Sequence, residues 1–313
     1  MVLRTRSWPV VADPGNQAFR GWFEGGMTSP GHSDPLLQEA AQLASHPDFP
    51  RAVHAYAIGL ARFREAPRLV NMIASTDLRW RIVGFLLYLD ADRERFGPEG
   101  GATYGRLLDL STRQGGATPR TVQSLLALLQ FSGLVRKTAG EKDRRIKVYR
   151  PTERMDAFVR AWLRYGTAAL DILEPGMQRG LLVEDRAFVD GFSVSGGRAH
   201  LEDAVPLADR VPAPLSSLKA MLGSYSVILA VLLARFEGTD TPSRRSIAGR
   251  FGLSRSQVDL VVQAGLDRGL FALDHKAMLV PTMALEISFH QWISIELAFY
   301  ARHMRPRPAS TPD

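Results

Sequence analysis

The chain of 313 residues contains no cysteine, which excludes a disulfide framework, thiolate zinc sites and thiol nucleophiles. It has no long hydrophobic run either. The longest fully apolar stretch, 227–234, is eight residues, far short of the roughly 20 that a membrane-spanning helix needs. Arg4 and Arg6 are followed by no apolar core, so no signal peptide is expected. The histidines, His32, His46, His54, His200, His275, His290 and His303, form no H-x-x-x-H or H-E-x-x-H pair, and no metal site is expected from them. G-x-S-x-G, phosphate-loop and G-x-G-x-x-G patterns are missing too. The acid pairs Asp90/Asp92 and Glu184/Asp185 lie in polar segments and read as solvated surface, and Gly115-Gly116 and Gly196-Gly197 read as turns. These absences point away from an enzyme and from any cofactor. They leave a cytoplasmic globular protein, 45% hydrophobic and 23% charged, long enough for two domains with cores of their own.

What is present centres on residues 117–152, ATPRTVQSLLALLQFSGLVRKTAGEKDRRIKVYRPT. Thr118 can cap a helix and Pro119 suits its first position. Val122, Leu125, Leu126 and Leu129 recur at i, i+3, i+4 and i+7 as one buried stripe, and Gly133 can close the helix in the left-handed conformation. Residues 134–137 and 146–150 then read as paired strands around a polar tip, 138–145. A helix followed by a basic hairpin is the core of a winged helix-turn-helix. The face opposite the apolar stripe carries Arg120, Thr121, Gln123, Ser124 and Ala127, residues that let a helix sit in a major groove and reach base edges. Between 120 and 150 stand eight basic residues, Arg120, Arg136, Lys137, Lys142, Arg144, Arg145, Lys147 and Arg150, against Glu141 and Asp143. That is +6 out of +7 for the whole chain, and so confined an excess calls for a polyanion. The alternative is an ordinary solvated hairpin on a small structural domain.

The run Asp143-Arg144-Arg145-Ile146-Lys147-Val148-Tyr149-Arg150-Pro151-Thr152 resembles the wing of the MarR family of bacterial transcription regulators, in which an Asp-x-Arg tip precedes a strand and a Leu-Thr-type start of the next helix. Here Arg150-Pro151-Thr152 replaces the usual apolar residue and Thr. The resemblance covers about 76–173. It implies that Arg145 enters a minor groove, that Asp143 holds the wing's geometry, and that the terminal helices form an interface. A small-molecule effector near that interface is a family expectation, and nothing in the sequence specifies one.

Along the chain, 1–35 reads as an irregular arm with Trp8, Phe19, Trp22 and Phe23. Helices are expected over 36–45, 51–65 and 78–95. A first helix of the helix-turn-helix is expected over 103–110 and its turn, containing Arg113, over 113–116. A long helix over 152–173 follows, and then a connector, 176–214, with no assigned structure. From 215 the pattern starts again. An apolar helix spans 225–236 and a helix 242–251. Ser254 and Gln257 form an S-x-x-Q capping box ahead of a stripe of Val258, Val261, Val262 and Leu266. A short hairpin leads to a last helix reaching about 304, and 306–313 reads as a disordered tail. Thr118, Val122, Leu126, Gly133 and Leu134 match Ser254, Val258, Val262, Gly269 and Leu270 at a constant offset of 136. Pro151, Thr152 and Trp162 match Pro281, Thr282 and Trp292 at 130. The ordered series points to a tandem duplication of one module, with module 1 over 36–175 and module 2 over 215–305. The fold class expected is mainly α with small β-hairpin wings.

The function expected is a sequence-specific regulator that binds double-stranded DNA as a single-chain pseudo-dimer, a monomer or weak homodimer, with no membrane partner. Arg113, Thr118, Arg120, Thr121, Gln123, Ser124, Arg136, Lys137, Lys142, Arg144, Arg145 and Lys147 are its contacts in module 1. Arg244, Arg245, Ser254, Arg255, Ser256 and Gln257 are those in module 2. In module 2 Asp259 lies beside Arg255 and Ser256, and the hairpin over 271–280 has one Lys and one Asp. That module therefore either binds with its helix alone or serves as a spacer and assembly surface. A plasmid-type replication initiator and a winged-helix protein-interaction scaffold are the rival functions.

Overall fold

Most long helices of this protein begin at a short polar residue whose side chain accepts a backbone N–H of the first turn. Asp34, Thr76, Thr103, Thr118, Thr152, Asp185, Ser243, Ser254 and Thr282 all do so, satisfying donors that have no partner within the helix. The computed structural model describes residues 34–65, 73, 76–98, 100–140, 143–203, 205, 207–219 and 221–305. The arm up to residue 33, the tail after 305, and Glu141 and Lys142 lie outside the described residues.

In chain order the helices are α1 (Pro35–Ala44), α2 (Phe49–Arg64), α3 (Asp77–Ala91), α4 (Tyr104–Gly115), α5 (Pro119–Phe131), α6 (Glu153–Leu173), α7 (Arg186–Glu202), α8 (Ala213–Lys219), α9 (Ser224–Glu237), α10 (Arg244–Phe251), α11 (Arg255–Asp267) and α12 (Met283–His303). Two antiparallel hairpins interrupt them: β1 (Val135–Ala139) with β2 (Lys147–Pro151), and β3 (Phe271–Leu273) with β4 (Leu279–Pro281). The fold is mainly helical with two small two-stranded sheets. Among the described residues no helix is long and apolar enough to cross a membrane.

The segments α4–α5–β1–β2–α6 and α10–α11–β3–β4–α12 repeat one local geometry. Gly133 and Gly269 both take positive φ, 69° and 65°, a conformation open to glycine at little cost, and each turns the chain from helix to strand. The Thr152 hydroxyl donates to the Gly133 and Leu134 carbonyls at 2.7 and 3.0 Å. Thr282 donates to Gly269 and Leu270 at 2.7 and 3.1 Å. Each threonine also caps the helix that follows, and α6 and α12 are both 21 residues long. The two units thus join hairpin to helix with the same hydrogen bonds.

A single apolar core runs through both units. α2 packs on α6 and α9, α1 packs on α12, and α7 packs on α3 and α12. The aromatic faces of α6 and α12 are therefore covered largely by helices that the sequence leaves out of the interface. The two do meet: the Trp162 and Tyr300 rings lie 6.3 Å apart, and Gly166 is so close to Tyr300 that a Cβ there would stand 2.4 Å from its ring.

The structure fills in one segment left unassigned and corrects three expectations. Among its described residues the connector holds a short helix at Arg179–Leu182, then α7, and the start of α8. Gly196 and Gly197 are no turn but lie inside α7, where a Cβ on Gly197 would meet the Tyr88 ring at 2.6 Å; they are small because helices pack there. Asp90 and Asp92 are buried rather than solvated, Asp90 paired with Arg150 at 3.2 Å and Asp92 with Arg198 at 2.8 Å. Asp92 also stops α3 at Ala91 and caps a single helical turn, Arg93–Phe96. Finally α4 continues through Gly115 until Gly116 turns left-handed, so Arg113 sits in a helix and not in the turn.

Candidate nucleic-acid interface

α5 has the register read from its sequence. Val122, Leu125, Leu126 and Leu129 are buried, and Arg120, Gln123, Ser124 and Ala127 are exposed on the opposite side. Thr118 accepts the Thr121 N–H at 3.2 Å, and the two hydroxyls share a hydrogen bond at 2.9 Å, so both spend hydrogen-bonding capacity on the cap. The Gln123 amide donates to the Tyr104 hydroxyl at 3.2 Å. Tyr104, the first residue of α4, is absent from the residues that the sequence singles out; its place directly after the Thr103 cap is the only signal for it.

The hairpin rises beside this helix. Its backbone is tied to the body, since Tyr149 N–H donates to the Ala102 carbonyl at 2.8 Å and Thr103 bridges Val148. Arg150 anchors it from below through Asp90, whose carboxyl burial pushes up from its ordinary value although Arg150 opposes the shift. Arg150 therefore belongs to the scaffold and leaves the exposed basic set. At the tip the Asp143 carboxylate accepts the Arg145 N–H at 2.8 Å and its carbonyl accepts the Ile146 N–H at 3.0 Å. That turn leaves the Arg144 and Arg145 side chains exposed. Lys147 donates to the Arg144 carbonyl at 2.9 Å, and the Lys137 ammonium lies 5.8 Å from the Tyr149 ring centre. Between helix and hairpin runs a cleft of ≈ 420 Å³ whose lining includes Tyr104, Gln123, Lys137, Ile146 and Lys147.

Arg120, Arg136, Arg144 and Arg145 are exposed and form no ion pair among the described residues. Arg113 differs, being paired with Asp109 one turn earlier on α4. A surface pair of this kind holds its partner by only about 0–1 kcal/mol, so Arg113 can exchange it for another anion. Helix face and hairpin tip together make a basic ridge with hydrogen-bonding groups at its centre, the chemistry that phosphates and base edges require.

The second unit places its candidate residues differently. Ser254 and Gln257 form the full capping box, with the Ser254 N–H donating to Gln257 Oε1 at 2.8 Å and the Gln257 N–H to Ser254 Oγ at 3.2 Å. They stabilise the start of α11 rather than project from it. Arg244 is paired with Asp259 at 2.9 Å and Arg250 with Glu65 at 2.7 Å. Arg245, Arg255 and Ser256 are exposed. Where α5 has Gln123 and Ser124, α11 has Asp259 and Leu260, the latter 64% exposed. The second hairpin has three-residue strands, and its Asp274 carboxylate accepts the Lys276 and Met278 N–H groups at 2.8 Å, which holds its pKa below the usual range.

Compared with models of known protein families, with curated proteins and with solved structures, the chain has no match.

Proposed function

We propose that this protein is a sequence-specific, double-stranded-DNA-binding transcription regulator of the cytoplasm, without catalytic activity, built from two winged helix-turn-helix modules of one duplicated, MarR-like unit. The first module reads DNA, α5 in a major groove and the hairpin tip along the backbone into the adjacent minor groove. One observation carries this: the exposed Arg120–Gln123–Ser124 face of α5 stands beside a hairpin whose tip arginines form no ion pair among the described residues. The matched hydrogen bonds of Thr152 and Thr282 support the duplication. The continuous core supports one chain acting as a pseudo-dimer. In the second module the neutralised Arg244 and the exposed Leu260 favour a supporting or assembly role over base reading.

The test is selection of bound duplexes from a random-sequence library, followed by footprinting and sedimentation of the complex. The expected result is a monomer on an asymmetric site with one well-defined half. Recovery of no preferred sequence, with binding only at low salt, would leave an unspecific polyanion binder and end the regulator reading. An obligate homodimer on a perfect palindrome would remove the pseudo-dimer.

A further inference from the structure

A cavity of ≈ 220 Å³ lies where the two halves meet, enclosed by α2, α3, α6, α7, α9 and α12. Its walls include Trp80, Trp162, Phe192, Trp292 and Tyr300. The rings meet mostly edge to face, Trp80 on Trp162 at 4.6 Å and 88°, and Trp162 on Tyr300 at 6.3 Å and 79°. Such a wall suits a flat apolar body.

The charged groups in this wall are unequally provided for. Arg81 donates to the Gln114 carbonyl and lies 3.5 Å from Asp209. The Arg64 guanidinium lies over the Tyr225 ring, 5.2 Å from its centre. Asp77 accepts the Tyr225 hydroxyl at 3.4 Å. Burial pushes the His200 pKa down to about 4, leaving that ring neutral. Glu296 adds a second carboxyl to this wall, from α12. Tyr300 donates to its Oε1 at 2.9 Å, the Tyr56 hydroxyl faces the same carboxyl as a weaker donor, and its Oε2 is out of contact with solvent. Burial raises its pKa to about 7, with Tyr56 and Tyr300 lowering it, Asp77 raising it and Arg64 lowering it. A carboxylate buried among rings, with two phenol hydroxyls as its donors, is costly to keep charged. The matching position of α6 is Gly166, so the first module has no such charge.

We propose that this cavity binds a flat organic cation, a protonated amine on a one- or two-ring aromatic body, with Glu296 as its counter-charge. The aromatic walls take the apolar body, and their faces attract positive charge. The ammonium supplies a positive charge beside the Glu296 carboxyl, which lines the cavity. Gly84, exposed on α3 and part of the lining, has nothing within 4 Å of a built Cβ and marks the mouth. The proposal does not rest on DNA binding.

Calorimetric titration of the full chain at pH 7.5 with 2-naphthylmethylammonium, 2-naphthylmethanol and 2-naphthylacetate tests it. The ammonium should bind about tenfold tighter than the alcohol or better, an effect of the size a desolvated cation–π and charge contact gives, and the acetate should not bind measurably. Glu296→Gln should bring the ammonium to the level of the alcohol while leaving the alcohol unchanged. Gly84→Phe, which fills the mouth without touching the core, should abolish both and retain the wild-type melting temperature; it keeps the test decisive if Glu296→Gln fails to fold. Acetate binding as tight as the ammonium would overturn the proposal. So would ammonium affinity unchanged by either substitution, or no binding of any probe to folded wild type at millimolar concentration.

Discussion

Position for position along α5 and α11, Arg120, Gln123 and Ser124 give way to Ser256, Asp259 and Leu260, while Val122 and Leu126 are answered by Val258 and Val262. The buried stripe, the caps and the left-handed glycines keep their places, and the exposed face keeps almost nothing. In the first unit Arg120, Arg136, Arg144 and Arg145 form no ion pair among the described residues; in the second, Arg245 and Arg255 are likewise exposed but Arg244 and Arg250 are neutralised by Asp259 and Glu65. Core and caps fix a backbone, whereas surface substitutions away from such features usually cost less than about 0.5 kcal/mol. Two similar backbones can therefore carry a strongly basic surface in one unit and a less basic one in the other.

The core itself holds one divergence that tests the equivalence most severely. In the first unit Leu129 and Val135 are buried; at the matching places the second has Gly265 and Phe271. A Cβ on Gly265 would stand 2.1 Å from the Phe271 ring, so a large–small pair has become a small–large one. Gly265→Leu should destabilise the protein by about 3 kcal/mol, at the upper end of overpacking costs. The double variant Gly265→Leu/Phe271→Val, which imports the first unit's pair, should recover more than half of that loss in chemical denaturation. A double variant no more stable than the single one would mean that the two hairpins do not dock alike.

The parts of the fold legible in the sequence are those that local chemistry decides. Thr118, Ser254 and Thr282 each precede an apolar stripe and each proves to cap a helix. What could not be read depends on distant partners. Gly196 and Gly197 look like turn residues until Tyr88 and Phe299 are seen packed on them. Asp90 looks solvated until Arg150, sixty positions later, is found beside it. The same pair hid part of the site, because a count of basic residues cannot tell Arg150, turned inward, from Arg145, turned out. Tyr104 was illegible for a like reason, its hydroxyl meeting Gln123 across the corner between α4 and α5.

The next contrast lies in the hairpins. Arg144→Ala with Arg145→Ala should lower affinity for specific and unspecific duplexes alike by about 3 kcal/mol, the worth of two charge-assisted hydrogen bonds at the low end of their range, about 1.5 kcal/mol each. The slope of log affinity against log salt should fall by roughly one to two units, about 0.9 for each phosphate that the variant no longer neutralises. His275→Ala with Lys276→Ala, at the second tip, should leave that slope within about half a unit of wild type. Equal slopes in both double variants and the wild type would take the first hairpin out of DNA binding.

The smallest effect separates base reading from backbone contact. Gln123→Ala removes an amide from the centre of the exposed face of α5 without disturbing its buried stripe, and it also frees the Tyr104 hydroxyl. Affinity for the preferred sequence should fall by about 1–2 kcal/mol, within the range for one side chain paired to a base, and affinity for scrambled duplexes should hardly change. Asp259→Ala, at the matching place on α11, serves as the mirror. It breaks an exposed ion pair worth about 0–1 kcal/mol and releases Arg244, so stability should change little and DNA affinity should stay level or rise slightly. Both variants can be measured in one competition series in which preferred and scrambled duplexes are titrated side by side. If Gln123→Ala weakened every sequence equally, the residue would touch only the sugar–phosphate backbone. If Asp259→Ala altered base preference as much as Gln123→Ala, α11 would be reading DNA too, and the division of labour between the two units would fail.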